Sequence, residues 1–405
     1  MNRRTFIKFA AISFATLLTG CKKIKEVPEK ILPVKFIRQI VTKDISTSRC
    51  IMWQVDEPLK NPVVEVKTGD AIKNFPAQDS SFTDDGKKIF QYTAQIELGD
   101  EYRIVDGDAT SYWYDLKKIS GDKFKAIIFP DSQCGGSYDT WGGVAGSAFA
   151  KNPDAVLFVN VGDLVDNGED RVQWEDWLRH VEQFTPEIVF APVLGNHETY
   201  TREWTFRTPV SYLNYFATPN NGVENFSRRF YSFDVGAAHF VVLDSQWDEL
   251  GIELIDLQKN WLRQDLNSTD KLWKIIFIHK DVLQYRIHRR PERKEGFSDV
   301  GELFMPEFES LGVDVVFTGH LHTYRNRGHL KNFQRDETGP LYILTGISGN
   351  VRYGGLWIDH ALDEVIAPQP ETDNYLTLDV DAKTLTVKCF SPNGRPIDEV
   401  ILHKD

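Results

Sequence analysis

Cysteine is scarce. The chain has four in 405 residues, and one of them, Cys21, lies in an N-terminal stretch that reads as a removable leader. The other three, Cys50, Cys134 and Cys389, are an odd number, which argues against a full disulfide framework. Basic residues are outnumbered: 47 Lys and Arg stand against 59 Asp and Glu, a formal net charge of −12. So acidic a surface excludes general binding to nucleic acid or to anionic lipid. No apolar run is long enough to span a bilayer. Internal repeats and low-complexity tracts are missing too, which excludes repeat arrays. What remains is an ordinary globular composition, 41% hydrophobic and 26% charged, in a chain long enough for two or three domains and a sizeable core.

The N-terminus carries an address. Residues 2–8, NRRTFIK, lead into FAAISFATLL, a charged n-region followed by a short apolar h-region, which is the pattern of a signal peptide. Arg3 and Arg4, then Phe6 and Lys8, resemble the twin-arginine export signal. LTGC, ending at Cys21, resembles a bacterial lipobox with Cys21 as the lipidated residue. The alternative is a plain apolar signal with an incidental cysteine. The expected product is exported to the periplasmic side of the cell envelope and tied to a membrane by lipid. Removing residues 1–20 takes away three basic residues and no acidic one, so the mature formal charge becomes −15.

Residues 1–21 are thus the leader, and residues 22–31, charged and containing Pro28, are a tether. From residue 32 to 118 the signals are short and strand-like, among them KFIRQIV, CIMWQV, VVEVKTG, FQYTAQIEL, EYRIV and SYWYDL. Turn formers separate them, which predicts a β-sandwich of fibronectin type. The alternative is an irregular β extension of the next domain. From residue 120 to 405 the character changes. KAIIFPD, VLFVNVGD, EIVFAPVLGNH, HFVVLDS, KIIFIHK and VDVVFTGH are apolar runs that end in polar residues. Helix-like stretches such as DRVQWEDWLRHVEQF and LIDLQKNWLRQDL lie between some of them. Strand alternating with helix predicts an α/β layered domain. Two strands, NYLTLDVD and TLTVKCF, close the chain, with Pro392-Asn393-Gly394 as a hairpin signal.

The polar tips carry the chemistry. In order they are Asp131-Ser132-Gln133, Gly162-Asp163, Gly195-Asn196-His197-Glu198, His279 and Gly319-His320-Leu321-His322. In open α/β sheets ligands bind at such strand ends. Carboxylates, carboxamides and imidazoles without thiolate suit Mn, Fe or Zn. Two such metals about 3.5–4 Å apart clamp a phosphoryl group and supply a nucleophilic water near neutral pH. One carboxylate has two oxygens and can bridge the pair, the expected task of Asp163.

The order D-x-Q, GD, GNHE, H and GHLH resembles the calcineurin-like metallophosphoesterases, and is most similar to their purple acid phosphatase branch. YSFDVGAAHFVVLDS, Gln258 with Trp261-Leu262, GVDVVFTGHLHTYR and PLYILTGISGN add to the likeness. The resemblance spans roughly residues 35–403. It implies a four-layer α/β/β/α sandwich preceded by a small all-β domain, and a binuclear metal centre acting on phosphoesters. Position by position, it implies that Asp163 bridges two metals. The first metal also takes Asp131, His322 and Gln133; the second takes Asn196, His279 and His320. His197 is implied as the group that donates a proton to the leaving oxygen.

Two positions depart from the branch. Its tyrosinate is replaced here by Asp166, so no purple colour is expected and divalent metals gain ground. Asp166 is a ligand, a partner to a ligand, or a helix N-cap, since Asp favours all three. Gln133, whose carboxamide oxygen is a weaker donor, stands where many relatives have His. After His279, KDVLQYRIHRRPERKEGF is basic in an acidic protein. It is either a solvated loop or, by the resemblance, the source of His288 over the substrate phosphate, with Arg289 and Arg290 as phosphate clamps. His180, His239, His329, His360 and His403 read as structural, and Trp174, Trp177 and Trp261 as core. The expected function is phosphomonoester hydrolysis on a small phosphoester. Phosphodiester hydrolysis on nucleotides or lipid head groups is the alternative, and a non-catalytic surface binding protein is the third reading.

Overall fold

The computed structural model describes residues 28–247, 251–284, 296–353, 360–368 and 372–405. The apolar runs become the centres of two sheets. In the first, strands Lys123–Phe129, Leu157–Asn160 and Val189–Pro192 lie parallel and side by side. The closing strands Tyr375–Asp381, Thr384–Phe390 and Pro396–His403 extend it antiparallel on one flank. The turn at Ser391–Arg395 falls on the Pro-Asn-Gly signal, with the Gly394 N–H donating to the Ser391 carbonyl at 2.8 Å. In the second sheet, Ala238–Leu243, Trp273–Ile278, Val315–Thr318 and Leu341–Thr345 are parallel. Strands Tyr231–Val235 and Tyr324–Lys331 flank them antiparallel.

Helices cover the outer faces. α1 (Asp139–Lys151) and α2 (Arg171–Val181) pack on the first sheet, where Trp177 stacks on Phe190 at 5.5 Å. Short α3 (Val210–Tyr215) adds to the same core. α4 (Glu253–Ser268) and α5 (Asp299–Ser310) cover the second sheet through Leu254, Leu262, Phe304 and Phe308. Between the sheets lie residues of both, such as Phe124 and Phe240 at 5.9 Å. The order helix, sheet, sheet, helix is the four-layer α/β arrangement expected, and Trp174, Trp177 and Trp261 are buried in it.

The N-terminal strands do two jobs. Ser48–Val55 and Lys87–Glu97 face a second sheet built from Val63–Thr68, Ala71–Pro76, Glu101–Asp106 and two short strands. Ile51, Trp53, Val64, Val66, Tyr102 and Ile104 fill the space between. Of SYWYDL, only Tyr114–Asp115 pairs. Yet Lys35–Ile40 also pairs parallel to Val189–Pro192, so the first sheet runs unbroken from the C-terminal hairpin to Gln78–Asp79. Cys50, Cys134 and Cys389 are buried and free. Among the described residues no helix is long and apolar enough to cross a membrane.

Candidate metal centre

The parallel strands of both sheets deliver their polar tips to one place. Asp163, His279 and His320 bring ligand atoms within 4.8 Å of one another, and so do Asp131, Asp163 and His322. Asp163 belongs to both groups. Its Oδ2 is 3.1 Å from His279 Nε2, and Asn196 Oδ1 is 3.1 Å from the same nitrogen. Across the site, His322 Nε2 is 3.4 Å from Asp131 Oδ1. Asp131, Asp163, Asn196, His279, His320 and His322 therefore converge. Gln133 lies on the Asp131 loop, its backbone N–H donating to the Asp163 carbonyl at 3.0 Å.

Outer hydrogen bonds aim the ligands. His279 Nδ1 bonds the Val161 carbonyl at 2.8 Å, and His322 Nδ1 bonds the Val351 carbonyl at 2.9 Å. Each leaves Nε2 free to face the site, the usual arrangement of a ligating imidazole. Asn196 Nδ2 donates to Tyr200 Oη at 3.2 Å, which turns its carbonyl oxygen inward. The backbone is under strain at the same points. Asp163, His320 and His322 all have positive φ, of 50°, 77° and 52°. Non-glycine residues seldom adopt such angles, and strain of this kind gathers at functional sites. At Gly195 a Cβ would run into the Asp163 carboxylate, which is why glycine precedes Asn196.

The residues fit a metal by a further sign. Among the described residues, both polar atoms of the buried Gln133 side chain and Nδ1 of His320 lack a hydrogen-bond partner. Buried polar groups are nearly always satisfied, and Gln133 Oε1 and an imidazole nitrogen are donor types a Mn, Fe or Zn site takes. The charges agree. Burial alone would raise Asp163, but the His279 and His197 imidazoles override it and hold the carboxyl well below the usual range. Burial would lower His279, but the Asp163 carboxylate wins and raises it to about 9. A metal entering here displaces that proton.

His197 stands at the rim. Its Nδ1 bonds the Asp166 backbone carbonyl at 2.6 Å, and its Nε2 is 3.9 Å from Asp163 Oδ2. The Asp166 carboxylate lies 3.6 Å from His197 Nδ1, and burial raises its pKa. The N-cap of α2 is Asp170, whose side chain accepts from the Val172 N–H; the cap reading of Asp166 is corrected accordingly. His288, Arg289, Arg290 and Cys21 lie outside the described residues.

Glu198 carries a role its motif does not announce. Fully buried, its carboxylate accepts the backbone N–H groups of Leu164 and Gly195 at 2.8 Å, Asp163 at 2.9 Å and Val165 at 3.3 Å. It thus fixes the Asp163 turn against the Gly195 turn. Burial and the nearby Asp163 charge push its pKa up to about 7. A second device is an ion cluster that begins at Asp281, two residues after His279. Arg327 pairs with Asp281 and Asp363, Arg325 with Asp363, and the Thr318 hydroxyl donates to Asp281 at 2.6 Å. Tyr353 was also invisible in sequence; its ring packs on His322 at 4.6 Å.

Known proteins resemble this chain in sequence and fold. Residues 124–324 match the family described as calcineurin-like phosphoesterase. Purple acid phosphatase 15 of Arabidopsis thaliana is 30% identical over 206 residues, which are 49% of this chain and 36% of that protein. The Fe(3+)-Zn(2+) purple acid phosphatase 12 of the same plant is 26% identical over 292 residues, 67% of this chain and 59% of its own length. The chain thus spans less than two thirds of either relative. In fold, a purple acid phosphatase from yellow lupin (Lupinus luteus) seeds superposes with a TM-score of 0.74 at 15% identity, over 92% of this chain and 74% of the lupin chain. Residues 124–324, the stretch that matches the calcineurin-like phosphoesterase family, carry every converging ligand from Asp131 to His322.

Proposed function

We propose that the protein is a metal-dependent phosphoester hydrolase, acid-phosphatase-like in its chemistry, with a pair of metal ions bridged by Asp163. One observation carries this: two ligand groups meet at the strand ends and share one carboxylate. Asp131, Gln133, Asp163 and His322 would hold the first ion, and Asp163, Asn196, His279 and His320 the second. When bound, such a pair polarises a phosphoryl group and lowers the pKa of water. Mn, Zn or Fe would serve, and with Asp166 in place of a tyrosinate divalent ions suit the first position.

The chain supplies the rest. Asp163 and Asp131 set the charge of the cavity. His197, oriented through Nδ1 by the Asp166 carbonyl, presents Nε2 to the leaving oxygen and gives it a proton. It is left as the Nδ1–H tautomer that the carbonyl already favours. The test is metal analysis of purified protein, with turnover of p-nitrophenyl phosphate and bis-p-nitrophenyl phosphate before and after chelation. About two ions per chain, and monoester turnover lost on chelation and restored by Mn or Zn, support the proposal; turnover indifferent to chelation refutes it. We also propose export and lipid anchoring through Cys21. Cys21→Ser should move the protein from the membrane to the soluble fraction, and unchanged partitioning refutes the anchor.

A further inference from the structure

Beyond His197 the chain makes a closed loop, Tyr200–Phe206, of sequence YTREWTF. Tyr200 and Phe206 pair across its neck. Inside it, the Thr201 N–H donates to the Thr205 carbonyl at 2.8 Å and the Trp204 N–H to the Thr201 carbonyl at 2.9 Å. Neighbours hold it from outside. Asn167 Nδ2 donates to the Thr201 carbonyl at 2.7 Å, Glu169 accepts the Arg202 N–H at 2.9 Å, and the Arg202 guanidinium reaches Asp85 at 2.5 Å. A loop so tied costs little to order when something binds on it.

At the tip stands Trp204. Its φ is +60°, a left-handed conformation that a bulky aromatic residue seldom takes. Of the nine tryptophans among the described residues seven are buried, but Trp204 is 55% exposed, and Phe206 beside it 48%. The rings form one cluster with the site. Trp204 is 6.2 Å from His197 and 5.5 Å from Tyr200, and Tyr200 is 5.1 Å from His197 and 5.2 Å from Phe206. His197 therefore has both the Asp163 carboxylate, 3.9 Å from its Nε2, and an exposed indole, 6.2 Å from its ring, as neighbours. Strained backbone kept only to expose an aromatic ring points to binding rather than stability.

We propose that Trp204, supported by Tyr200 and Phe206, is a stacking platform for the leaving group, and that the site prefers phosphoesters whose leaving group carries a planar ring, as in nucleotides and aryl phosphates. It rests on the hydrolase proposed above, in which the leaving oxygen lies at His197. A ring attached to that oxygen, directly or through a sugar, extends over Trp204. An aliphatic leaving group gains nothing there.

The experiment compares metal-loaded wild type with Trp204→Ala and Trp204→Phe. The substrates are adenosine 5′-monophosphate, phenyl phosphate and glycerol 3-phosphate. Base–aromatic stacking lost to alanine corresponds to roughly a five- to hundredfold fall in kcat/KM, expressed mainly in KM. That fall is expected for the ring substrates in Trp204→Ala, with Trp204→Phe restoring most of it and glycerol 3-phosphate changing less than about twofold. A fall for the nucleotide alone makes the ring a nucleobase; a fall for phenyl phosphate as well makes it any planar ring. Equal change across all three substrates, or none, overturns the platform. Acrylamide quenching separates it from the hydrolase reading. Free adenosine shielding Trp204 in a protein that turns over none of the three esters would leave the platform standing and the hydrolase reading refuted. Shielding that follows protein concentration instead of adenosine makes the loop a contact between copies and overturns the proposal.

Discussion

Two neighbouring residues of one motif, His197 and Glu198, separate chemistry from architecture. Glu198 touches no candidate ligand side chain, yet four backbone N–H groups of two ligand turns converge on its carboxylate. Glu198→Gln keeps the shape but leaves one oxygen to do the work of two, and buried donors without acceptors cost about 1–3 kcal/mol each. Metal content and melting temperature should both fall. The His197 side chain bonds only the Asp166 carbonyl, past the N–H groups that Glu198 holds, so His197→Ala leaves those four hydrogen bonds in place. It should keep its metal while kcat drops, by about 10²–10⁴-fold for esters with poor leaving groups. The loss should shrink for p-nitrophenol, which needs little protonation. Metal analysis with a leaving-group series checks both; metal loss in His197→Ala, or full metal in Glu198→Gln, reverses the assignments.

At the scale of elements, the legible parts were those with a strong period or a charged tip. The apolar runs ending at Asp131, Asp163, Asn196, His279 and His320 all precede the ligand positions directly. α2 and α4 were legible because Trp174 with Trp177, and Leu254 with Leu262 and Leu266, recur at helical spacing on a buried face. α1 and α5 were not. α1 carries Gly142, Gly143 and Gly146, and a Cβ at Gly142 would strike the His180 ring of α2. Close packing took precedence over helix propensity there. α5 contains Pro306, a residue that ordinarily ends a helix. Glu198 and Trp204 were illegible for different reasons: the Asp163 turn that Glu198 holds is distant in sequence, and the loop that carries Trp204 beside Tyr200 and His197 has no period to read.

His239 gives this scale its test. Between Tyr231–Val235 and α4, its Nδ1 meets Asp234 at 2.7 Å and its Nε2 meets Asp265 at 2.8 Å. Burial would lower its pKa, but the two carboxylates outweigh it and raise it to about 9. A histidine raised above its unfolded value of about 6.5 gives stability that is complete below pH 6.5. That stability is lost as the pH climbs through 9. The shift corresponds to roughly 3 kcal/mol. Chemical denaturation of wild type should weaken from pH 6.5 to 9.5, and His239→Gln should be less stable at pH 6 and flatter across that range. An unchanged slope in the variant would assign the pH dependence to other groups.

On the scale of the whole molecule, the N-terminal strands are built into the first of the two sheets that carry the ligands. Lys35–Ile40 covers the edge strand Val189–Pro192, which would otherwise be an open template for pairing. Arg38 in that strand is fully buried. Its guanidinium donates to the Tyr215 carbonyl at 2.9 Å, the Phe36 carbonyl at 2.8 Å and Gln91 Oε1 at 2.5 Å. Gln39 Nε2 donates to the Pro186 carbonyl at 2.6 Å, and Tyr102 Oη to the same oxygen at 2.8 Å. The strand's continuation reaches the second sheet as well, where the Asp234 N–H donates to the Lys43 carbonyl at 2.9 Å. With both halves joined through backbone pairing and buried side chains, the described fold should melt as one cooperative unit, with calorimetric and van't Hoff enthalpies in agreement. Arg38→Ala strips three hydrogen bonds from a buried cation and leaves their acceptors dry, a loss of about 3 kcal/mol or more. It should lower the single transition without splitting it. A fragment beginning at residue 119 should aggregate, its Val189–Pro192 edge exposed. Two separate transitions in the Arg38 variant, or a soluble fragment that keeps its metal, would show instead that the N-terminal strands fold apart and merely dock.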